Sequence, residues 1–133
     1  MEKNELFKSI IDKVKVFHET FGIHNNTSPT LLSKEESQLR YDLMLEEVKE
    51  YKDACEVDDL VEIADALGDQ LYILCGTILK HGLQDLIEPI FNEIQNSNMS
   101  KLGGDGKPIY REDGKVLKGP NYFKPNISKF LNQ

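Results

Sequence analysis

Apolar positions recur along the first hundred residues with the spacing of helices. From Asn4 to Phe21, the residues Leu6, Ile10, Val14, Phe17 and Phe21 fall three or four positions apart, which places them on one helix face. The polar stretch from His24 to Ser33 contains Pro29 and should loop. Ser33 followed by Glu36 has the form of a capping box, so a second helix is expected from there to about Cys55. The third segment has the clearest pattern: Leu60, Ile63, Ala64, Leu67, Leu71, Leu74, Cys75 and Ile78 lie within about 60° of one direction. That helix should stop near His81-Gly82. A shorter fourth helix is expected over about Asp85 to Asn98, with Pro89 tolerated only in its first turn because an interior proline loses a backbone bond and clashes.

Beyond Ser100 the pattern changes. Gly103, Gly104, Gly106, Pro108, Gly114, Gly119 and Pro120 punctuate short segments, and Asp113-Gly114 between Pro108–Arg111 and Lys115–Lys118 predicts a β-hairpin. Such a tail cannot form a core of its own. Helices joined by short connections predict an all-α, four-helix-bundle-like fold with a C-terminal loop or hairpin extension. We expect one domain over residues 1–133, with a helical core at 1–100 and an extended tail at 101–133. No solenoid repeat or low-complexity run interrupts this organisation.

Charge narrows the class. A net charge of -7 with 29% charged residues argues against binding nucleic acid polymers, which requires a concentrated basic face. Residues 1–17 alternate charged and apolar positions without a signal-peptide core, and no run approaches the ~18 apolar residues of a membrane span. A soluble, cytoplasmic protein with no membrane partner is the expectation. Cys55 and Cys75 sit in helical patterns outside any metal-ligand spacing and read as buried, reduced thiols.

The acids are unevenly placed. On the second helix Glu46, Glu47 and Glu50 share a sector about 100° wide, an EExxE cluster able to face one neighbouring helix. On the third, Glu62, Asp65 and Asp69 form an ExxDxxxD stripe. Solvated helix faces explain most acidic stripes, but two features argue otherwise. Residues 53–79 contain seven carboxylates and no lysine or arginine, whereas ordinary exposed helices mix signs. The stripe is also flanked by Val61, Ala66, Tyr72 and Ile73, which suits a partly buried groove. Packed carboxylates without basic partners require a cation or a proton. An all-oxygen ligand set favours Mg²⁺, with Mn²⁺ as the alternative, over Zn²⁺. Such a site suits hydrolysis at phosphorus, by activating water and neutralising charge on the displaced oxygens.

The EExxE cluster, the ExxD that follows and the string EIADALGDQLY resemble the MazG-like, all-α NTP pyrophosphohydrolase superfamily, which also holds phosphoribosyl-ATP pyrophosphohydrolase and the dimeric dUTPases. The NMSK run and the tail containing REDGKVLKGPNY resemble a MazG-like subgroup with that extension. The resemblance implies a metal set of Glu47, Glu50, Glu62 and Asp65, which Asp69 extends, with Glu46 as a further ligand or water-activating base and Glu47 sharing the catalytic role. Eleven residues separate Glu50 from Glu62, so Asp59 or Asp69 can substitute in that set. The resemblance further implies that Asn98 and Lys101 hold the substrate, with Lys118 as a second phosphate contact.

The expected activity is therefore Mg²⁺-dependent hydrolysis of an NTP or dNTP to the monophosphate and pyrophosphate. Phosphoribosyl-ATP as substrate, and a non-catalytic acidic helical interaction module, are the competing readings. Arg40 is expected in a structural ion pair, and His18, His24 and His81 as capping or surface residues. Tyr72 reads as structural rather than as a base-stacking ring. Burying both sides of the third helix is hard with so few helices, so a homodimer or homotetramer is expected.

Overall fold

The computed structural model describes residues 5–131, so Asn4, at the start of the first expected helix, lies outside the described residues. It contains α1 (Glu5–Thr20), α2 (Lys34–Glu56), α3 (Leu60–Lys80), α4 (Ile87–Met99) and the short α5 (Ser128–Leu131), and no strand among the described residues. The fold is all-α. The chain divides into two compact units, Met1–Gln84 and Asp85–Gln133.

In the first unit α3 packs against both α1 and α2. Ser33 caps α2 by accepting from the Glu36 backbone N–H at 3.1 Å. The return half of the expected capping box is altered, because the Glu36 carboxylate accepts from the Ser33 hydroxyl. Between α2 and α3 the chain reverses through Asp58, whose φ of 53° is a left-handed conformation that Asp tolerates better than most residues. Asp59 then caps α3 by accepting from Glu62 N–H at 3.1 Å. Its carboxylate serves the helix start.

The apolar core of this unit comprises Ile11 and Val14 of α1, Ala54 of α2, and Ala66, Cys75, Ile78 and Leu79 of α3. Three polar side chains are buried with it. His18, 2% exposed, contacts Asn25 Oδ1 through Nδ1 at 2.6 Å. Arg40 donates to the Ile73 carbonyl at 2.9 Å and to Thr77 Oγ1 at 3.1 Å. Lys80 donates to the His24 carbonyl at 2.7 Å and pairs with Glu36 at 3.1 Å. Burial lowers the His18 pKa, opposed by the Asn25 contact and reinforced by the charges of Arg40 and Lys80.

Three expectations are corrected here. His18 is neither a cap nor a surface residue, because the buried line of α1 runs Ile11, Val14, His18, while Leu6 and Phe21 are exposed. Arg40 is held by helix oxygens of α3 rather than by a carboxylate. Cys55 is only half-buried, whereas Cys75 is fully buried; both are free thiols. His81 does cap α3, its ring meeting the Thr30 carbonyl at 2.9 Å. Tyr72 is packed edge-on against Phe17.

Only the C-terminal part of the apolar stripe on α3 is covered. Cys75 and Ile78 are buried, but Leu60, Leu67, Leu71 and Leu74 are 42–75% exposed.

In the second unit Pro89 is the third residue of α4, where its missing N–H costs no helical bond. The hairpin forms around the left-handed Gly114 as an isolated Tyr110–Val116 bridge without extended strands. Arg111 N–H donates to the Lys115 carbonyl at 2.8 Å, and Leu117 N–H to Ile109 at 2.7 Å. The tail is fastened to α4 by polar bonds: Glu93 accepts from Asn126 N–H and from Lys129, and Ser97 and Ser100 bind both backbone groups of Phe123.

Candidate metal centre

Helix α2 carries Glu46, Glu47 and Glu50, and α3 carries Glu62, Asp65 and Asp69. Packing of α3 on α2 brings one carboxylate oxygen from each of Glu47, Glu50 and Asp69 within 4.8 Å of one another. Oε2 of Glu47 is buried with no hydrogen-bond partner. Burial foremost, then a hydrogen bond that the protonated carboxyl gives to Glu50 and the charges of Glu50, Asp69 and Glu46, push the Glu47 pKa up to about 7. Asp69 is raised as well, first by burial and then by the charges of Asp65 and Glu50.

Next to this cluster, Glu50, Asp53, Glu62 and Asp65 line a cavity of about 500 Å³ together with Ala54, Val57 and Ala66. Ala54 and Ala66 are buried. Small residues at both positions let α2 and α3 approach closely, which sets the acids of the two helices across one groove. Glu46 is exposed on α2, beside Glu47. Asp53 is the acidic neighbour that the motif reading missed. Its spacing of three from Glu50 on one helix was the available signal.

An orphaned buried carboxylate oxygen among hard oxygen donors is the arrangement a divalent cation would satisfy. Glu47, Glu50 and Asp69 would hold it, and Asp65 adjoins them.

Asn98, Lys101 and Lys118 belong to the second unit. Asn98 is exposed at the end of α4, and its carbonyl accepts from Lys101 N–H at 3.2 Å. The Lys101 carbonyl in turn accepts from Gly119 N–H at 2.8 Å, which makes Lys118 its near neighbour. The Lys118 ammonium lies 4.8 Å from the centre of the Tyr122 ring.

The model for phosphoribosyl-ATP pyrophosphohydrolase matches residues 14–98, more than half of the chain and the whole acidic constellation. The chain belongs to the phosphoribosyl-ATP pyrophosphohydrolase family. Among solved structures it is similar to a candidate NTP pyrophosphohydrolase from Exiguobacterium sp. 255-15, at 27% identity and a TM-score of 0.50. That likeness covers 91% of this chain and 92% of the other. No curated protein matches the sequence. The phosphoribosyl-ATP pyrophosphohydrolase match and the structural likeness together make the chain a pyrophosphohydrolase of the MazG-like, all-α superfamily. The matched segment includes Asn98 but ends before Lys101 and Lys118. No helix among the described residues is long and apolar enough to cross a membrane.

Proposed function

We propose that the chain is a Mg²⁺-dependent nucleoside triphosphate pyrophosphohydrolase that converts an NTP or dNTP to the monophosphate and pyrophosphate. The observation that carries this reading is the convergence of Glu47, Glu50 and Asp69, with one oxygen of Glu47 buried and unpartnered. Glu47, Glu50, Glu62, Asp65 and Asp69 hold Mg²⁺ or Mn²⁺. The cation, when bound, neutralises phosphate oxygens and makes water a better nucleophile. Glu46, exposed beside Glu47, accepts the proton of the attacking water, with Glu47 sharing that role. Water attacks the α-phosphorus, and the bridging oxygen leaves with pyrophosphate. Asn98, Lys101 and Lys118 bind the substrate, the lysines as point charges for phosphate.

Phosphoribosyl-ATP is the competing substrate, favoured by the description of the matching family. One observation favours the nucleotide reading. The family match ends at residue 98, whereas a likeness covering 91% of the chain must run well into the tail. That relative is described as a candidate NTP pyrophosphohydrolase.

The exposed Leu60, Leu67, Leu71 and Leu74 support a homodimer or larger homo-oligomer in which this face of α3 is covered by a second copy. The leucines recur at the spacing of a helix-pairing seam.

A product assay over canonical nucleotides, modified nucleotides and phosphoribosyl-ATP tests the reading. Pyrophosphate should be released only with Mg²⁺ or Mn²⁺, and Glu50→Gln or Asp69→Asn should each lower kcat by about a hundredfold or more, beyond the usual cost of losing an outer-shell partner of a metal ligand. Orthophosphate as first product, or full activity in both variants, contradicts the mechanism. A preference for phosphoribosyl-ATP selects the competing substrate.

A further inference from the structure

Gly119 has no room for a side chain. A Cβ there would lie 2.0 Å from the Leu102 carbonyl oxygen and 2.8 Å from that of Lys101. Contact this close is what allows Gly119 N–H to reach the Lys101 carbonyl at 2.8 Å. Lys101 and Lys118, seventeen positions apart in sequence, become backbone neighbours through that bond.

The segment after Gly119 is fastened at its other end. Ser97, 2% exposed, donates its hydroxyl to the Phe123 carbonyl at 2.8 Å. Phe123 N–H donates to Ser100 Oγ at 3.1 Å, and the Ser100 hydroxyl donates to the Ser97 carbonyl at 2.6 Å. Within the segment, Tyr122 N–H reaches the Gly119 carbonyl at 3.3 Å, and its ring lies against the Lys118 ammonium. Residues 119–123 thus form a strap across the end of α4, held at both ends by hydrogen bonds.

We propose that Gly119, Ser97 and Ser100 are positioning residues that hold Lys101 and Lys118 as one paired clamp for a phosphate chain. The proposal rests on the reading of both lysines as phosphate contacts. Two ammonium groups repel each other and each hangs on a flexible stem, so nothing in the side chains favours their pairing. A fixed backbone supplies it before the ligand arrives. Inorganic pyrophosphate offers the matching polyanion, and charge-assisted bonds from two lysines would hold it.

The test measures Mg²⁺-pyrophosphate binding to the full chain by calorimetry, alongside KM and kcat for the best nucleotide substrate. Lys101→Ala and Lys118→Ala should each weaken binding about tenfold or more, as loss of a charge-assisted bond does. Gly119→Ala should do the same, raising KM while leaving kcat within about twofold. Added to the double lysine variant, it should weaken binding no further, because it acts through the lysines. Ser100→Ala, which leaves the Gly119 contact intact, should give a smaller loss in the same direction and covers the case of a Gly119→Ala chain that fails to fold. If both lysine variants lose binding while folded Gly119→Ala or Ser100→Ala binds normally, the strap has no positioning role. If both lysine variants bind normally, the phosphate reading of the lysines fails and the strap with it. A further loss from Gly119→Ala in the double lysine background marks a merely structural element and overturns the proposal.

Discussion

The two units of the chain are built by different means. Met1–Gln84 is three long helices around an apolar core, and its charge is concentrated acid, with seven carboxylates and no basic residue across 53–79. Among its described residues Asp85–Gln133 has one helix of thirteen residues, the four-residue α5, a bridge and a strap, and between residues 101 and 129 it carries seven lysines and arginines against three acids. The first unit has the larger buried apolar set, whereas in the second α4 holds the tail through side-chain to backbone hydrogen bonds. A pyrophosphohydrolase needs both signs of charge: acid to collect a cation, base to receive phosphate.

The sharpest way to break this contrast is to disturb the core of the first unit. A Cβ at Gly76 would lie 2.6 Å from Arg40 Nη2 and 2.9 Å from His18 Nε2. Because that guanidinium is tied to Ile73 and Thr77, Gly76→Ala should destabilise by about 1–3 kcal/mol, the usual cost of overpacking. Chemical denaturation measures it. An unchanged midpoint would show that the buried polar set yields easily.

A smaller effect should separate the units by pH. The Glu47 pKa of about 7 stands above its ordinary 4.5. Without a cation, the folded protein therefore binds more protons than the unfolded chain between those values, and this carboxylate lowers stability as pH rises through that window. A divalent cation takes the place of the proton, so Mg²⁺ should raise Tm more at pH 8 than at pH 6. Glu47→Gln should remove most of that difference. Equal Mg²⁺ shifts at both pH values would contradict a cation site at this carboxylate.

The smallest effect is expected in the hairpin. Arg111 and Asp113 pair on the surface, which raises the arginine and lowers the aspartate in pKa. Both side chains are more than half exposed, so solvent screens the pair. Asp113→Ala should leave the thermal melt and the activity unchanged, and a clear loss of either would give the hairpin a larger part than its exposure suggests.

Much of the first unit was legible because burial leaves a periodic trace. Ser33, the apolar spacing of α3 and His81-Gly82 located helix ends closely, and the spacing of Glu47, Glu50 and Asp69 placed them on faces able to meet. Which of the acids converge was not legible, since that depends on how α2 and α3 are rotated against each other. Asp69, at the far end of its stripe, is the α3 residue that closes on Glu47 and Glu50. A histidine does not announce burial, although His18 continues the buried line, four positions after Val14 and seven after Ile11. The leucines of α3 show the limit of periodicity: it marks a face as apolar without saying what covers it. In the second unit, the bonds of Ser97, Ser100 and Gly119 join backbone groups far apart in sequence and leave no repeating pattern.

Lys80 carries one more consequence. Its side chain is 8% exposed, with the ammonium bound by the His24 carbonyl and the Glu36 carboxylate. An amine-reactive label would therefore find the surface lysines at once and Lys80 only when the end of α3 opens. The rate at which this one lysine is acylated is a clock for the breathing of the helical unit, readable by mass spectrometry without any probe being introduced.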